Sequence, residues 1–127
     1  MNVKSCMTKK VELGDPKMSL FDAAKKMLEG NFGMLPIQEN DRLVGIITDR
    51  DIAIRGVAKG CDPKSATVRE IMSNKVLYCY EDETLDEVAK NLAQNHVRRL
   101  PVLNRQKRLV GILSLDDLSK KSSSHFN

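Results

Sequence analysis

Apolar residues recur at helical spacing along Leu20, Ala23, Ala24, Met27 and Leu28, and again along Leu85, Val88, Ala89, Leu92 and Ala93. Both runs predict amphipathic helices. Ser19 with Asp22, and Thr84 with Glu87, set a hydroxyl and an acid three residues apart at each start, the pattern of an N-terminal cap. After each helix the period shortens. Apolar runs around Leu35 to Gln38 and Leu43 to Ile47, and around Leu100 to Leu103 and Leu109 to Leu113, are divided by polar residues and predict two β-hairpins. A second helix is expected from near Asp49 in the first half and Leu115 in the second. Val11 to Leu13 and Val76 to Tyr80 predict one more strand ahead of each first helix. The plan is β-α-β-β-α, written twice.

The duplication is visible in the letters. At an offset of 65, Leu20, Ala24, Lys25, Leu35 and Pro36 fall on Leu85, Ala89, Lys90, Leu100 and Pro101. The offset becomes 66 when Arg42-Leu43-Val44-Gly45-Ile46 meets Arg108-Leu109-Val110-Gly111-Ile112. The extra residue falls in the polar stretch Asn104 to Lys107, where a turn tolerates it. Upstream, Val3 and Met7 meet Val68 and Met72. The reading is a first repeat over 1–58, a connector rich in small residues over 59–67, a second repeat over 68–120 and a polar tail over 121–127. A repeat of this size alone is marginal. The expected architecture is therefore α+β, with two repeats packed sheet to sheet about a pseudo-twofold axis that creates two equivalent clefts.

The chain has 127 residues, 41% of them apolar and 30% charged, an ordinary globular balance. Aromatic content is 4% with no Trp, which argues against stacking on single-stranded nucleic acid. The net charge of +4 is a mild, unspecific preference for anions. No apolar run approaches the roughly 20 residues of a membrane span, and the N-terminus lacks a secretory signal. Cys6, Cys61 and Cys79 are odd in number, far apart and outside any C-x-x-C, so neither a disulfide framework nor a zinc site is indicated. A cytoplasmic protein with its cysteines as small buried residues is expected.

One short pattern stands apart. Thr48-x-x-Asp51 and Ser114-x-x-Asp117 occupy the same point of the two repeats, at the passage from strand to second helix. The spacing fits a capping box. It also fits a binding site, because a helix start offers free N–H groups, a short carboxylate can take both hydroxyls of a ribose, and a neighbouring hydroxyl can reach sugar or phosphate. Spacing alone leaves both readings open. The preceding Gly45 and Gly111 are expected to relieve crowding where a flat ring approaches. No nucleophile-activating partner accompanies either carboxylate, which points to binding and not to catalysis.

The tandem strings "MLPI…RLVGIITDRDI" and "RRLPV…RLVGILSLDDL" resemble paired cystathionine-β-synthase (CBS) domains, a Bateman module, over about residues 3 to 120. The likeness is to stand-alone prokaryotic proteins made of two such domains. It implies that Thr48, Asp51, Ser114 and Asp117 hold the ribose and phosphate of an adenosine ligand. It implies an adenine frame from Val11 to Leu13 with Ile46, and from Leu77, Tyr78 and Cys79 with Ile112. The resemblance also implies a phosphate contact, because the family often has a basic residue two or three positions before the proline of its "LPV", facing the phosphates. Here the second repeat has Arg98 and Arg99, and the first has Gly33 and Met34. The alternative for the arginines is an exposed strand end paired with acids.

The resemblance implies a regulatory module that senses AMP, ADP, ATP or NAD, has no catalytic cofactor or metal, forms a homodimer and signals to an unidentified protein partner. A ligand-free dimerising scaffold is the alternative, and nucleic-acid binding a weaker one, suggested only by the basic balance and the arginine pair. His96 reads as a helix cap and His125 as part of the tail. Tyr78 and Tyr80 alternate on a strand and can share one face. Arg50 and Arg55 are expected on the second helix of the first repeat.

Overall fold

The computed structural model describes residues 1–95, 97–114 and 117. Its α+β architecture follows the predicted periods closely. Helix α1 (Leu20–Gly30) buries Leu20, Ala23 and Met27. Ser19 caps it by accepting from the Asp22 N–H at 3.0 Å. It stops at Asn31, whose φ of 56° lies in the left-handed region that Asn tolerates. Strands β1 (Met34–Glu39) and β2 (Arg42–Thr48) form an antiparallel hairpin. Asn40 and Asp41 both take positive φ between them, as a two-residue turn of this hand requires. The second helix, α2 (Asp49–Asp51), continues at once as a π-helical turn (Ile52–Gly56) and a 3-10 turn (Val57–Lys59).

The second half repeats this plan. A short helix, α3 (Val68–Ile71), and a two-residue strand, β3 (Cys79–Tyr80), precede helix α4 (Leu85–Asn95), which buries Val88 and Leu92. Glu87 N–H donates to Thr84 Oγ1 at 3.3 Å, so the second cap also forms. Strands β4 (Arg99–Leu103) and β5 (Leu109–Ser114) pair antiparallel, and β3 lies parallel to β4. The inserted residue sits in the β4–β5 turn. There Asn104 Oδ1 accepts from the N–H groups of Gln106 and Arg108, both at 3.0 Å, and Lys107 takes a φ of 64°. The expected helix from Leu115, the tail, His96 and His125 lie outside the described residues, apart from Asp117, which is helical.

The strand expected at Val11 to Leu13 does not form. Gly14 alone bridges β1, donating to Pro36 O and accepting from Gln38 N–H, both at 2.9 Å. A Cβ on Gly14 would stand 2.7 Å from Ile37 Cδ1, so the chain passes close over β1 at this point. Asp15-Pro16 then turns it away, and Pro16 has no N–H to extend a ladder. The equivalent strand of the second half is likewise shorter than Val76 to Tyr80.

Packing boundaries and repeat boundaries differ. One compact unit is Glu12–Val76, called here the first unit. The second unit joins Met1–Val11 to the described residues from Leu77 onward. Each body of helix and hairpin is thus completed by the lead segment of the other repeat. The bonds that do this are matched. Val3 and Lys4 N–H donate to Glu83 O and Glu81 O at 3.0 and 2.9 Å; Val68 and Arg69 N–H donate to Met18 O and Pro16 O at 2.9 and 3.0 Å. Thr8 and Ile112 exchange two backbone bonds, as do Ser73 and Ile46. The free edges of β5 and β2 thereby find partners for backbone groups that would otherwise be left open.

Each unit has its own core. Leu20, Leu35, Ile37, Ile47, Val68 and Ile71 fill the first, and Val3, Val88, Leu92, Leu100, Val102 and Leu113 fill the second. Burying one such aliphatic side chain contributes about 1.5–3 kcal/mol. Cys6 and Cys79 belong to the second core, whereas Cys61 is half-exposed at the edge of the first. Among the described residues, no helix is long and apolar enough to cross a membrane.

Candidate functional site

The passage from hairpin to second helix has the same geometry in both units. Asp51 N–H donates to Thr48 Oγ1 at 3.1 Å, and Thr48 N–H donates to Asp51 Oδ2 at 2.9 Å. Asp117 N–H donates to Ser114 Oγ at 3.1 Å, and Ser114 N–H donates to Asp117 Oδ2 at 3.2 Å. Both are reciprocal capping boxes, with hydroxyl and carboxylate half-buried. The local bonds use one oxygen of each carboxylate. Among the described residues, Oδ1 of Asp51 and of Asp117 makes no hydrogen bond. In the second unit the box has a further contact, from Cys6 Sγ to Asp117 O at 3.8 Å.

Strand register determines what surrounds the hydroxyls. Leu35 and Ile47 are paired and buried, as are Leu100 and Leu113, so they face the cores. One residue along, Met34 pairs with Thr48 and Arg99 with Ser114, on the opposite face of each hairpin. Ile46 and Ile112 alternate onto that same face and are half-buried. The structure thus brings Ile46 to Thr48, and Ile112 to Ser114 and Arg99, within their units.

The glycines do something other than the sequence suggested. A Cβ on Gly45 would lie 2.7 Å from Met72 Sδ and 2.9 Å from Ser73 O. One on Gly111 would lie 2.6 Å from Met7 Sδ and 2.9 Å from Thr8 O. The space they leave is filled by the exchanged lead segments on the core side of the strands. It is not room for a flat ring beside the hydroxyls.

The remaining site residues are less closely gathered. Arg98 is exposed and Arg99 half-buried, and among the described residues neither makes an ion pair. Val11 closes the lead segment of the second unit, while Leu13 lies in the first unit beside Gly14. Both are half-buried. Leu77 and Tyr78 are exposed ahead of β3. Tyr78 meets Tyr80 edge to face, with ring centroids 5.6 Å apart. The Arg105 guanidinium lies 4.0 Å from the Tyr80 ring centroid and donates to both oxygens of Asp82. That hydrogen-bonded cation holds the Asp82 carboxyl below its usual range. Arg50 and Arg55 are exposed. Cys79 is buried, which, with the nearby Glu83 carboxylate, pushes its thiol up to about 12 and keeps it protonated and unreactive at neutral pH.

Sequence reasoning overlooked Asp49. Its N–H donates to Gly33 O at 2.9 Å, and its Oδ1 accepts from Arg50 N–H at 2.8 Å. Its Oδ2 stands 2.7 Å from where a Cβ on Gly33 would be. The visible signal was the replacement of Arg98 and Leu115 by Gly33 and Asp49 at matched positions. Among the described residues, no group of three or more His, Cys, Asp or Glu is arranged to hold a metal ion.

This is a duplicated helix-and-hairpin module with one capping box per copy, and comparison with known proteins identifies it. The CBS domain model matches residues 3–56 and 68–124. The chain belongs to the CBS domain family. It is 36% identical over 98% of its length to the CBS domain-containing protein YhcV of Bacillus subtilis, covering 87% of that protein. The CBS domain pair of protein MJ0100, solved in complex with 5′-methylthioadenosine and S-adenosyl-L-methionine, superposes with a TM-score of 0.85 at 32% identity, covering 98% of both chains. Hypoxic Response Protein I, solved with two coordinated zinc ions, superposes with a TM-score of 0.84 at 34% identity, covering 95% of this chain and 98% of that one.

Proposed function

We propose that this protein is a non-catalytic, cytoplasmic regulatory module in which Thr48 with Asp51, and Ser114 with Asp117, hold the ribose of an adenosine-containing ligand. Ile46 flanks the ring in the first unit with Leu13 as an outer wall, and Ile112 flanks it in the second with Leu77 and Tyr78. Arg98 and Arg99 receive phosphate in the second unit, so AMP, ADP, ATP or NAD fits there. Ligand occupancy is read by a partner protein, and the module itself pairs as a homodimer. Exposed Phe21, Leu28, Ile54 and Val57 are apolar surface on the first unit that a second copy can cover. Light scattering at micromolar protein tests the pairing, and a monomer would refute it.

The observation that carries this reading is the unpaired Arg99 opposite Ser114 on the half-buried face of the hairpin away from the core, beside a carboxylate with one oxygen uncommitted. The nucleoside ligands of the MJ0100 pair, a neighbour over 98% of this chain, support it. Calorimetric titration with AMP and adenosine is the test. Replacing Arg98 and Arg99 with Ala should weaken AMP far more than adenosine, because charge-assisted phosphate contacts contribute about 1.5–3 kcal/mol each. Asp117→Asn keeps a capping acceptor and should weaken both ligands alike. Equal losses of AMP and adenosine in the arginine variant would remove phosphate from the reading.

The capping boxes favour one other reading, because the hydroxyl and one carboxylate oxygen of each box are already engaged in capping bonds. A dimerising scaffold needs no more than this. It predicts no rise in thermal midpoint with millimolar AMP, ATP or NAD, whereas the sensor predicts a rise with at least one.

A further inference from the structure

We propose that Asp49 makes the Thr48–Asp51 site select adenosine-type ligands that carry no phosphate, whether uncharged or positively charged. This deepens the nucleoside reading above and rests on it. The inference comes from a reversal of charge at matched positions. In the second unit the hydroxyl of Ser114 faces Arg99 across the hairpin, and Arg98 precedes Arg99. In the first unit Thr48 faces Met34, and Gly33 precedes Met34.

The missing side chain at Gly33 is not empty space. A Cβ there would lie 2.7 Å from Asp49 Oδ2 and 3.0 Å from Asp49 Cγ. The carboxylate therefore occupies the start of the path that a side chain at this position would take. Its place is fixed by two backbone contacts, Asp49 N–H to Gly33 O and Arg50 N–H to Asp49 Oδ1. Among the described residues no cation pairs with it. Where one unit offers two arginines beside its hydroxyl, the other offers a thioether and a carboxylate, with Asp51 as a second negative charge one turn on. A phosphate dianion next to Thr48 meets two like charges. A neutral or cationic substituent at the same point does not.

Arg50 is the one group in this turn that works against the inference. It is exposed, and among the described residues its guanidinium makes no ion pair. If it swings toward Thr48 it supplies the missing cation, and the test must distinguish it from Asp49.

The experiment follows the backbone amides of Thr48 and Ser114 by nitrogen-15 NMR in the full-length protein during titration with adenosine, AMP and S-adenosylmethionine. Adenosine and S-adenosylmethionine should shift Thr48, and AMP should need about tenfold more ligand than adenosine to do so. Asp49→Asn keeps the acceptor for Arg50 N–H. It should tighten AMP at Thr48 about fivefold while adenosine changes less than about twofold. AMP shifting Thr48 of the wild type as readily as adenosine would overturn the proposal. So would an unchanged AMP-to-adenosine ratio in Asp49→Asn, or an Arg50→Ala variant that loses AMP but not adenosine at Thr48. Adenosine failing to shift either amide at millimolar concentration would overturn the nucleoside reading itself, and this inference with it.

Discussion

The two units share one backbone plan and differ in the charge set around it. Thr48–Asp51 and Ser114–Asp117 close the same capping box to within 0.3 Å in each bond. Beside the first lie Met34, Gly33 and the Asp49 carboxylate; beside the second lie Arg98 and Arg99. Duplication preserved what the backbone requires and let the charge beside it vary. Cap hydroxyl, acid, strand glycine and core aliphatics recur because each unit needs them to fold. The neighbours on the half-buried outer face of each hairpin carry no such constraint.

The comparison breaks most severely in the cores. Ile47 and Leu113 are matched, fully buried strand residues. Ile47→Ala and Leu113→Ala should each cost about 2–5 kcal/mol. Urea unfolding checks this, and a cost below about 1 kcal/mol in either variant would mean that its unit is not closed at that strand.

Next come the glycines under the exchanged segments. In Gly45→Ala and Gly111→Ala the new methyl presses on a backbone carbonyl 2.9 Å away, which cannot rotate aside as a side chain can. Each should cost about 1–3 kcal/mol. Thermal denaturation ranks the two, and a neutral result at Gly111 would show that Met1–Val11 is only loosely held.

Alkaline pH should separate the units further. Burial pushes the Cys79 thiol up to about 12, while the first unit has Gly14 at the matched position and its one thiol, Cys61, is half-exposed elsewhere. In the unfolded chain the thiol ionises near its ordinary value of about 8.5. Its stabilising contribution is therefore fully present below that value and is lost as pH rises toward about 12. The slope is at most ~1.4 kcal/mol per pH unit. Chemical denaturation of wild type and Cys79→Ala at about pH 8 and about pH 10 should show a shallower decline in the variant. Identical declines would place the alkaline loss elsewhere.

Thr48→Ala and Ser114→Ala remove one half of each capping box and should each cost about 0.5–2 kcal/mol. Near-equal losses by circular dichroism melting would sharpen the case that the boxes are structurally equivalent. The smallest effect is expected at the turn. Lys107 holds a φ of 64°, so Lys107→Gly should stabilise the second hairpin by up to about 1 kcal/mol. A destabilised variant would show that the Lys107 side chain contributes more than its backbone strain costs.

Much of this molecule was legible in its letters. Helical spacing located α1 and α4, and alternation with polar interruptions located both hairpins, because these elements bury one face and their periods are set by local geometry. Ser19, Thr84 and the two hydroxyl–carboxylate pairs announced their caps because a cap is completed within four residues. Matched letters at an offset of 65 or 66 showed the duplication and both capping boxes, and the tandem strings resembled the CBS family.

What the sequence could not determine was everything that depends on which distant segment arrives where. Val3 and Met7 recurred as Val68 and Met72, yet nothing local says that each lead segment completes the other repeat's hairpin. Gly45 and Gly111 looked like room for a ligand until Met72–Ser73 and Met7–Thr8 were seen to fill it. The strand expected at Val11 to Leu13 shrank to a single bridge at Gly14, which packs over Leu35 and Ile37 of another element. Asp49 gained meaning only when its carboxylate was found over Gly33, 16 positions away in the chain. Periodicity and caps are encoded within a few residues, whereas packing and the charge around a site are sums over neighbours that only the folded chain assembles.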